Sequence, residues 1–160
     1  MRLFSNLKDL IKQDLIAMKN SSNIKFCAIT LCALLNNKFK EEMLNEVFES
    51  DIERQAFENI CLEFTLGPNK DTVKGKIREQ LDNLEDMYVT KTENYYHFIH
   101  DKVYNIVVLV CGLTFLHSFI KFLRRSFIAE RFCFQSNMTD NQKLIIIINE
   151  EITEKNISTD

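Results

Sequence analysis

The stretch Tyr88-Val89-Thr90-Lys91-Thr92-Glu93-Asn94-Tyr95-Tyr96-His97-Phe98-Ile99-His100-Asp101-Lys102-Val103-Tyr104 holds two short runs of Tyr, Val and Thr about a polar turn, then opens a long apolar segment. β-Branched and aromatic residues suit a pleated, half-buried surface, and Thr92-Glu93-Asn94 makes a short hairpin connection. The pattern predicts a β-hairpin wing that delivers a His-Asp pair to the start of a helix. Asp101 is placed to cap that helix, its carboxylate accepting backbone N–H groups of the first turn and favoured by the positive end of the dipole. His100 then stands just outside a helix N-terminus. Such an end presents unpaired N–H groups and partial positive charge, a setting for a phosphate, and an imidazole beside it adds one more donor.

Upstream of the hairpin the chain reads as helices. Leu3, Leu7, Leu10, Ile11, Leu15 and Met18 make an amphipathic stripe over residues 3–19. Ser21-Ser22-Asn23 interrupts it, and Ile24, Cys27, Ala28, Leu31, Leu34 and Leu35 mark a nearly all-apolar helix that closes at Asn36-Asn37. A third helix is expected over residues 40–48 and a fourth over 51–64, ended by Gly67-Pro68-Asn69. Thr72 is the expected N-cap of a helix over residues 72–86, whose Val73, Ile77, Leu81, Leu84 and Tyr88 run into the wing.

Downstream, residues 102–125 are apolar almost all round. A membrane span needs about 20 apolar residues, whereas the run Ile106 to Leu116 is followed at once by His117, Ser118 and Lys121, so a buried helix is the reading preferred to a span over residues 103–123. Phe127, Ile128, Phe132 and Phe134 continue as a packed segment, and residues 144–148 look like a strand with no evident partner. The fold class expected is therefore mainly α with a small β-hairpin wing: a winged-helix-like helical domain followed by a long buried helix. Residues 1–22 form an N-terminal helix that reads as the end of an upstream lid-like segment, 23–100 the winged-helix domain, 101–149 the long helix and packing segment, and 150–160 a disordered tail.

Composition narrows the function. A chain of 160 residues with 46% hydrophobic content and 13 Phe has ample material for one core. A net charge of −3 offers no general attraction to nucleic acid or anionic lipid. Lys74, Lys76 and Arg78, on the helix that would read DNA in a winged-helix factor, are offset by Glu79, Asp82, Glu85 and Asp86, and nucleic acid is not an expected partner. Three Gly and one Pro leave little room for phosphate-binding glycine loops. The odd count of scattered cysteines, Cys27, Cys32, Cys61, Cys111 and Cys133, suits reduced core residues, and the polar N-terminus does not read as a signal peptide; a cytoplasmic location is expected.

His97 and His100 alternate along a strand with no completing ligand, so no metal is expected. Cys111 and His117, six apart on a buried helix, read as packing residues and not as nucleophile and base.

Around the wing the sequence resembles the helical and winged-helix region that follows the nucleotide-binding core in STAND-class NTPases, which include NACHT and NB-ARC switch proteins, and it looks closest to the animal members. The residues carrying the likeness are Tyr96-His97-Phe98-Ile99-His100-Asp101-Lys102-Val103-Tyr104-Asn105-Ile106, the upstream segment Cys27 to Phe39, and the downstream Phe119-Ile120-Lys121 and Ser126 to Phe132. Ile99-His100-Asp101 is similar to the Met-His-Asp signature of the NB-ARC relatives. The resemblance implies that His100 senses the β-phosphate of bound ADP and that Asp101 caps and orients it. ATP or ADP would then be the nucleotide of the full-length context, with none held by this chain alone.

The sequence departs from the family in lacking GxxxxGK[ST]: Gly67 to Gly75-Lys76 has the wrong spacing and ends in Ile77. The chain is therefore expected to be no enzyme by itself, and its expected partner is a P-loop NTPase domain, in cis or in trans, with a homo-oligomer or other protein partners also open. The alternative functional reading is a stand-alone protein-interaction module exposing residues 3–19 or 144–148, and a further one is a membrane protein anchored by residues 103–123.

Overall fold

Ser22 starts the central helix. Its extended backbone turns the chain, and its hydroxyl accepts the Lys25 N–H at 3.4 Å, so that α1 (Arg2–Ser21) ends and α2 (Asn23–Leu34) begins within one residue. The computed structural model describes residues 2–64, 70–123, 132–134 and 146–148. From Phe26 to Leu34 every residue of α2 is buried, because helices pack on it from several sides: α1, α3 (Asp51–Glu63), α4 (Lys70–Leu84), α5 (Asp101–Thr114) and α6 (Leu116–Phe122). A helix that is apolar all round needs such a surround, and the loss of amphipathicity in its sequence is the signature of that place. Asn36 and Asn37, both in the left-handed region at φ 57° and 60°, end it, as Asn tolerates that conformation better than other side chains.

The chain is mainly helical with a small antiparallel sheet of order β1-β3-β2, built from β1 (Phe39–Lys40), β2 (Val89–Thr92) and β3 (Tyr95–Phe98). In the hairpin Val89 faces Phe98 and Thr92 faces Tyr95, leaving Glu93-Asn94 as its loop, with Glu93 at φ 53°. β1 pairs with the other side of β3, Phe39 opposite Tyr96.

That pairing corrects the helix expected over residues 40–48. Phe39 and Lys40 join the sheet, the Glu41 N–H donates to the Asn94 carbonyl at 2.8 Å, and only a 3-10 turn over Glu41–Asn45 remains before Glu46 adopts φ 64°. Ladder hydrogen bonds outweigh helix propensity at this point. α3 follows as expected, capped by Ser50, whose Oγ accepts the Glu53 N–H at 3.2 Å while the Glu53 carboxylate accepts the Glu49 N–H at 2.9 Å. Thr72 lies inside α4 and not at its cap, since that helix already runs from Lys70.

The long helix expected after the wing is two helices. α5 ends at Phe115, where φ −121° and ψ 49° leave the helical region, and α6 departs at 119° to it. Phe115 packs its ring 6.1 Å from Phe26 and 5.1 Å from Phe64, so the bend seats an aromatic side chain on the core and lets α6 lie on α3. Residues 103–123 are thereby divided between two directions, and among the described residues no single helix is long and apolar enough to cross a membrane. Part of the expected strand over 144–148 forms β5 (Ile146–Ile148), which does have a partner: it pairs in parallel with β4 (Phe132–Phe134) and lies against α5. The segments 135–145 and 150–160 fall outside the described residues.

Candidate functional site at the wing–helix junction

The β2–β3 hairpin is held by its attachments. Tyr96, fully buried from β3, donates its hydroxyl to Asp82 of α4 at 2.7 Å, and Tyr88, at the foot of β2, donates to Asp14 of α1. In both, burial first and then the hydrogen-bonded carboxylate push the phenol above the ordinary tyrosine range. At the other end of β3, the Phe98 N–H donates to the Asn37 side chain at 2.6 Å. The left-handed residue that ends α2 thus also fixes where the chain leaves the sheet.

Two residues later comes the cap of α5, one position earlier than the sequence predicts. The ladder extends past β3, with the Ile99 N–H donating to the Tyr88 carbonyl at 3.0 Å, and His100 keeps extended geometry at φ −154° and ψ 145°. His100 is therefore the N-cap. Its Nδ1 accepts the Lys102 N–H at 3.0 Å, and its carbonyl accepts the Tyr104 N–H at 3.0 Å. Asp101 is the first helical residue, exposed, its carboxylate in the first turn and not on the cap. Imidazole is an uncommon cap beside Asp, Asn, Ser and Thr, which is why the sequence pattern points to Asp101.

The cap assigns the ring's chemistry. An Nδ1 that accepts a backbone N–H carries no hydrogen, so the neutral ring bears it on Nε2. His100 is exposed, and among the described residues no group takes up that Nε2–H. The junction therefore presents one outward donor on a ring locked by its own helix, beside the positive end of the α5 dipole and the negative charge of Asp101.

His97 is separated from this site. Its Nε2 lies 2.8 Å from Thr92 Oγ1 across the hairpin and its Nδ1 3.0 Å from the Phe98 carbonyl, so both ring nitrogens are engaged on the wing. Among the described residues no group of His, Cys, Asp and Glu is arranged to hold a metal ion. Cys111 is buried with the Thr30 hydroxyl donating to its sulfur at 3.5 Å, and burial pushes its thiol up to about 12, whereas His117 is exposed; the two do not form a nucleophile–base pair. On α4, Lys74 pairs with Glu46 at 2.7 Å and Arg78 with Glu41 at 3.7 Å, so two of that helix's cations are already turned to carboxylates of the 3-10 turn and its C-cap.

No family model matches the chain, and it matches neither a curated protein nor a solved structure.

Proposed function

We propose that this chain is the regulatory winged-helix portion of a STAND-class signalling NTPase, in which His100 reads the nucleotide held by a P-loop domain supplied in cis or in trans. The winged-helix reading is supported by the element order, helix α2, strand β1, helices α3 and α4, then the β2–β3 hairpin, with β1 on the far side of β3. The sensor reading is carried by one observation: an exposed imidazole at the wing–helix junction whose Nδ1 is consumed by its own helix, leaving an Nε2–H aimed outward. That donor would meet the β-phosphate of ADP, and its loss on nucleotide exchange would release the wing to move as a rigid body. The chain needs no catalytic group for this role. The pairing of Lys74 and Arg78 with acidic neighbours argues against nucleic acid as the ligand.

The test separates sensing from capping. In the polypeptide or complex that includes the P-loop domain, His100→Asp keeps an N-cap acceptor and removes the donor. It should lower the ADP retained through gel filtration by roughly tenfold, the worth of one charge-assisted hydrogen bond, with the melting temperature unchanged. Retention equal to wild type in His100→Asp overturns the sensor role.

A second reading, a protein-interaction module, is favoured by Leu7 and Leu10 on α1, which are 38% and 63% exposed while Ile11, Leu15 and Met18 of the same helix are buried. Its test is self-association or partner binding that is lost in Leu10→Lys.

A further inference from the structure

His97 and His100 stand three residues apart and use their ring nitrogens in opposite senses. The Phe98 carbonyl only accepts, so His97 Nδ1, 3.0 Å from it, must carry the ring hydrogen, and its Nε2 accepts the Thr92 hydroxyl at 2.8 Å. His100 is the reverse tautomer. The Lys102 N–H only donates, so the His100 Nδ1 that receives it at 3.0 Å is bare and Nε2 holds the hydrogen. A second proton therefore enters on Nε2 in His97 and on Nδ1 in His100.

We propose that His100 is an acid-released helix cap: a proton on Nδ1 displaces the Lys102 N–H and frees the ring from the first turn of α5, while the hairpin keeps both contacts of His97. An imidazolium donates from both nitrogens. On His97 the new Nε2–H points at Thr92 Oγ1, which accepts it once its hydroxyl turns, and Nδ1–H stays on the Phe98 carbonyl. On His100 the proton takes the one lone pair that the Lys102 N–H uses, and two hydrogens cannot occupy the line between those nitrogens. The ring must leave, and the Lys102 N–H returns to the unsatisfied donors of the helix start. The new charge also lies at the positive end of the α5 dipole, which disfavours it. The loss is confined to the side-chain cap, since the His100 carbonyl still accepts the Tyr104 N–H.

The surrounding charges leave this competition to the cap. On α5 itself Asp101 favours the cation and Lys102 carries the opposite charge. On α1, Asp14 accepts the hydroxyl of Tyr88, the residue whose carbonyl holds Ile99. α2 is uncharged from Phe26 to Leu34, β5 is Ile146–Ile148, and α6 leaves from the far end of α5. His97 of β3 is engaged within the hairpin. Among the described residues none of these groups forms an ion pair with His100. Histidine changes charge between pH 5 and 8, so the release falls in that window.

The proposal stands on the cap and not on the sensor reading, and its test needs no nucleotide. The full chain, labelled with nitrogen-15, is titrated from pH 8 to pH 5 by nuclear magnetic resonance beside His100→Asn, a cap that does not titrate. Ring nitrogen shifts at pH 8 should place the hydrogen on Nε2 in His100 and on Nδ1 in His97. The Lys102 amide resonance should move with the midpoint of the His100 ring in wild type and stay in place in His100→Asn. In denaturant unfolding, the equilibrium constant of wild type relative to His100→Asn should rise roughly fivefold from pH 8 to pH 5, the worth of one side-chain cap. Effects of acid on His97, His117 and the carboxylates are common to both chains and cancel in that ratio. A hydrogen on Nδ1 of His100 at pH 8, a Lys102 amide that ignores the His100 titration, or a ratio that stays constant overturns the proposal. A constant ratio does so without touching the sensor reading, which ADP retention decides.

Discussion

At the hairpin, buried Val89, Tyr96 and Phe98 are joined by contacts through polar tips, Tyr88 to Asp14, Tyr96 to Asp82, Phe98 N–H to Asn37, Lys91 to Glu41 at 3.1 Å. Around the bend between α5 and α6 three rings pack together: Phe26 meets Phe64 edge-on at 5.8 Å, and Phe115 closes the triangle. The two regions are stabilised by forces with different dependences. Polar tips hold direction, contribute modestly in net free energy and respond to pH and salt; a packed aromatic cluster contributes in proportion to buried area and is indifferent to both.

The largest effect that would test this contrast is Phe26→Ala, expected to cost about 3–5 kcal/mol in denaturant unfolding, since a fully buried ring leaves a cavity among Phe64 and Phe115. The loss should be the same at pH 7 and pH 10. A smaller cost, near that of a surface substitution, would mean that the bend region is not packed as described.

Tyr96→Phe should cost about 1 kcal/mol at neutral pH through its lost bond to Asp82, and its diagnostic is the alkaline limb. The folded phenols of Tyr88 and Tyr96 hold their protons more tightly than the unfolded chain does, so above the ordinary tyrosine range of about 10 the unfolded state binds fewer protons. Their contribution is complete below that pH and is lost as pH rises beyond it. The double variant Tyr88→Phe, Tyr96→Phe should flatten that fall, as followed by circular dichroism; an unchanged slope would place the titration elsewhere.

His100→Ala should cost about 1 kcal/mol as an exposed cap, and His100→Asp should restore it. Equal stability of wild type, Ala and Asp variants would show that the Nδ1 bond does not cap α5. The smallest change is at the wing tip, where Glu93→Gly should gain about 0.5–1 kcal/mol by relieving a left-handed conformation, with no effect on the bend.

Much of this fold was legible in the chain because its signals are local. The stripe Ile11, Leu15, Met18, the all-apolar α2, the Asn36-Asn37 stop and the hairpin over 88–98 are each written within a few residues of one another and appear as expected. What was misread depended on a partner distant in sequence. Residues 40–48 have a helical pattern, yet Phe39 and Lys40 pair with Tyr96 and Tyr95. Ile146–Ile148 lacked an evident partner until Phe132–Phe134 lay beside it.

The candidate site divides in the same way. That His100 follows a hairpin and precedes a helix was readable from β-patterned runs and an apolar stretch. That it caps the helix itself was not, because the cap position follows from how far the β2–β3 ladder runs, and the Ile99–Tyr88 bond extends it by one residue. The Asn37 brace on Phe98 spans sixty-one positions.

From its order of residues alone, the chain determines most of its helices, which faces are apolar, and that a β-hairpin precedes a helix bearing histidine at its threshold, because propensity, capping and periodicity act within a turn or two. Tertiary structure alone decides the bend at Phe115, the sheet order β1-β3-β2, and the Asn37 brace on Phe98. Those features arise where surfaces distant in sequence compete for the same partners, and packing and hydrogen bonding between elements settle that competition after local preference has been spent.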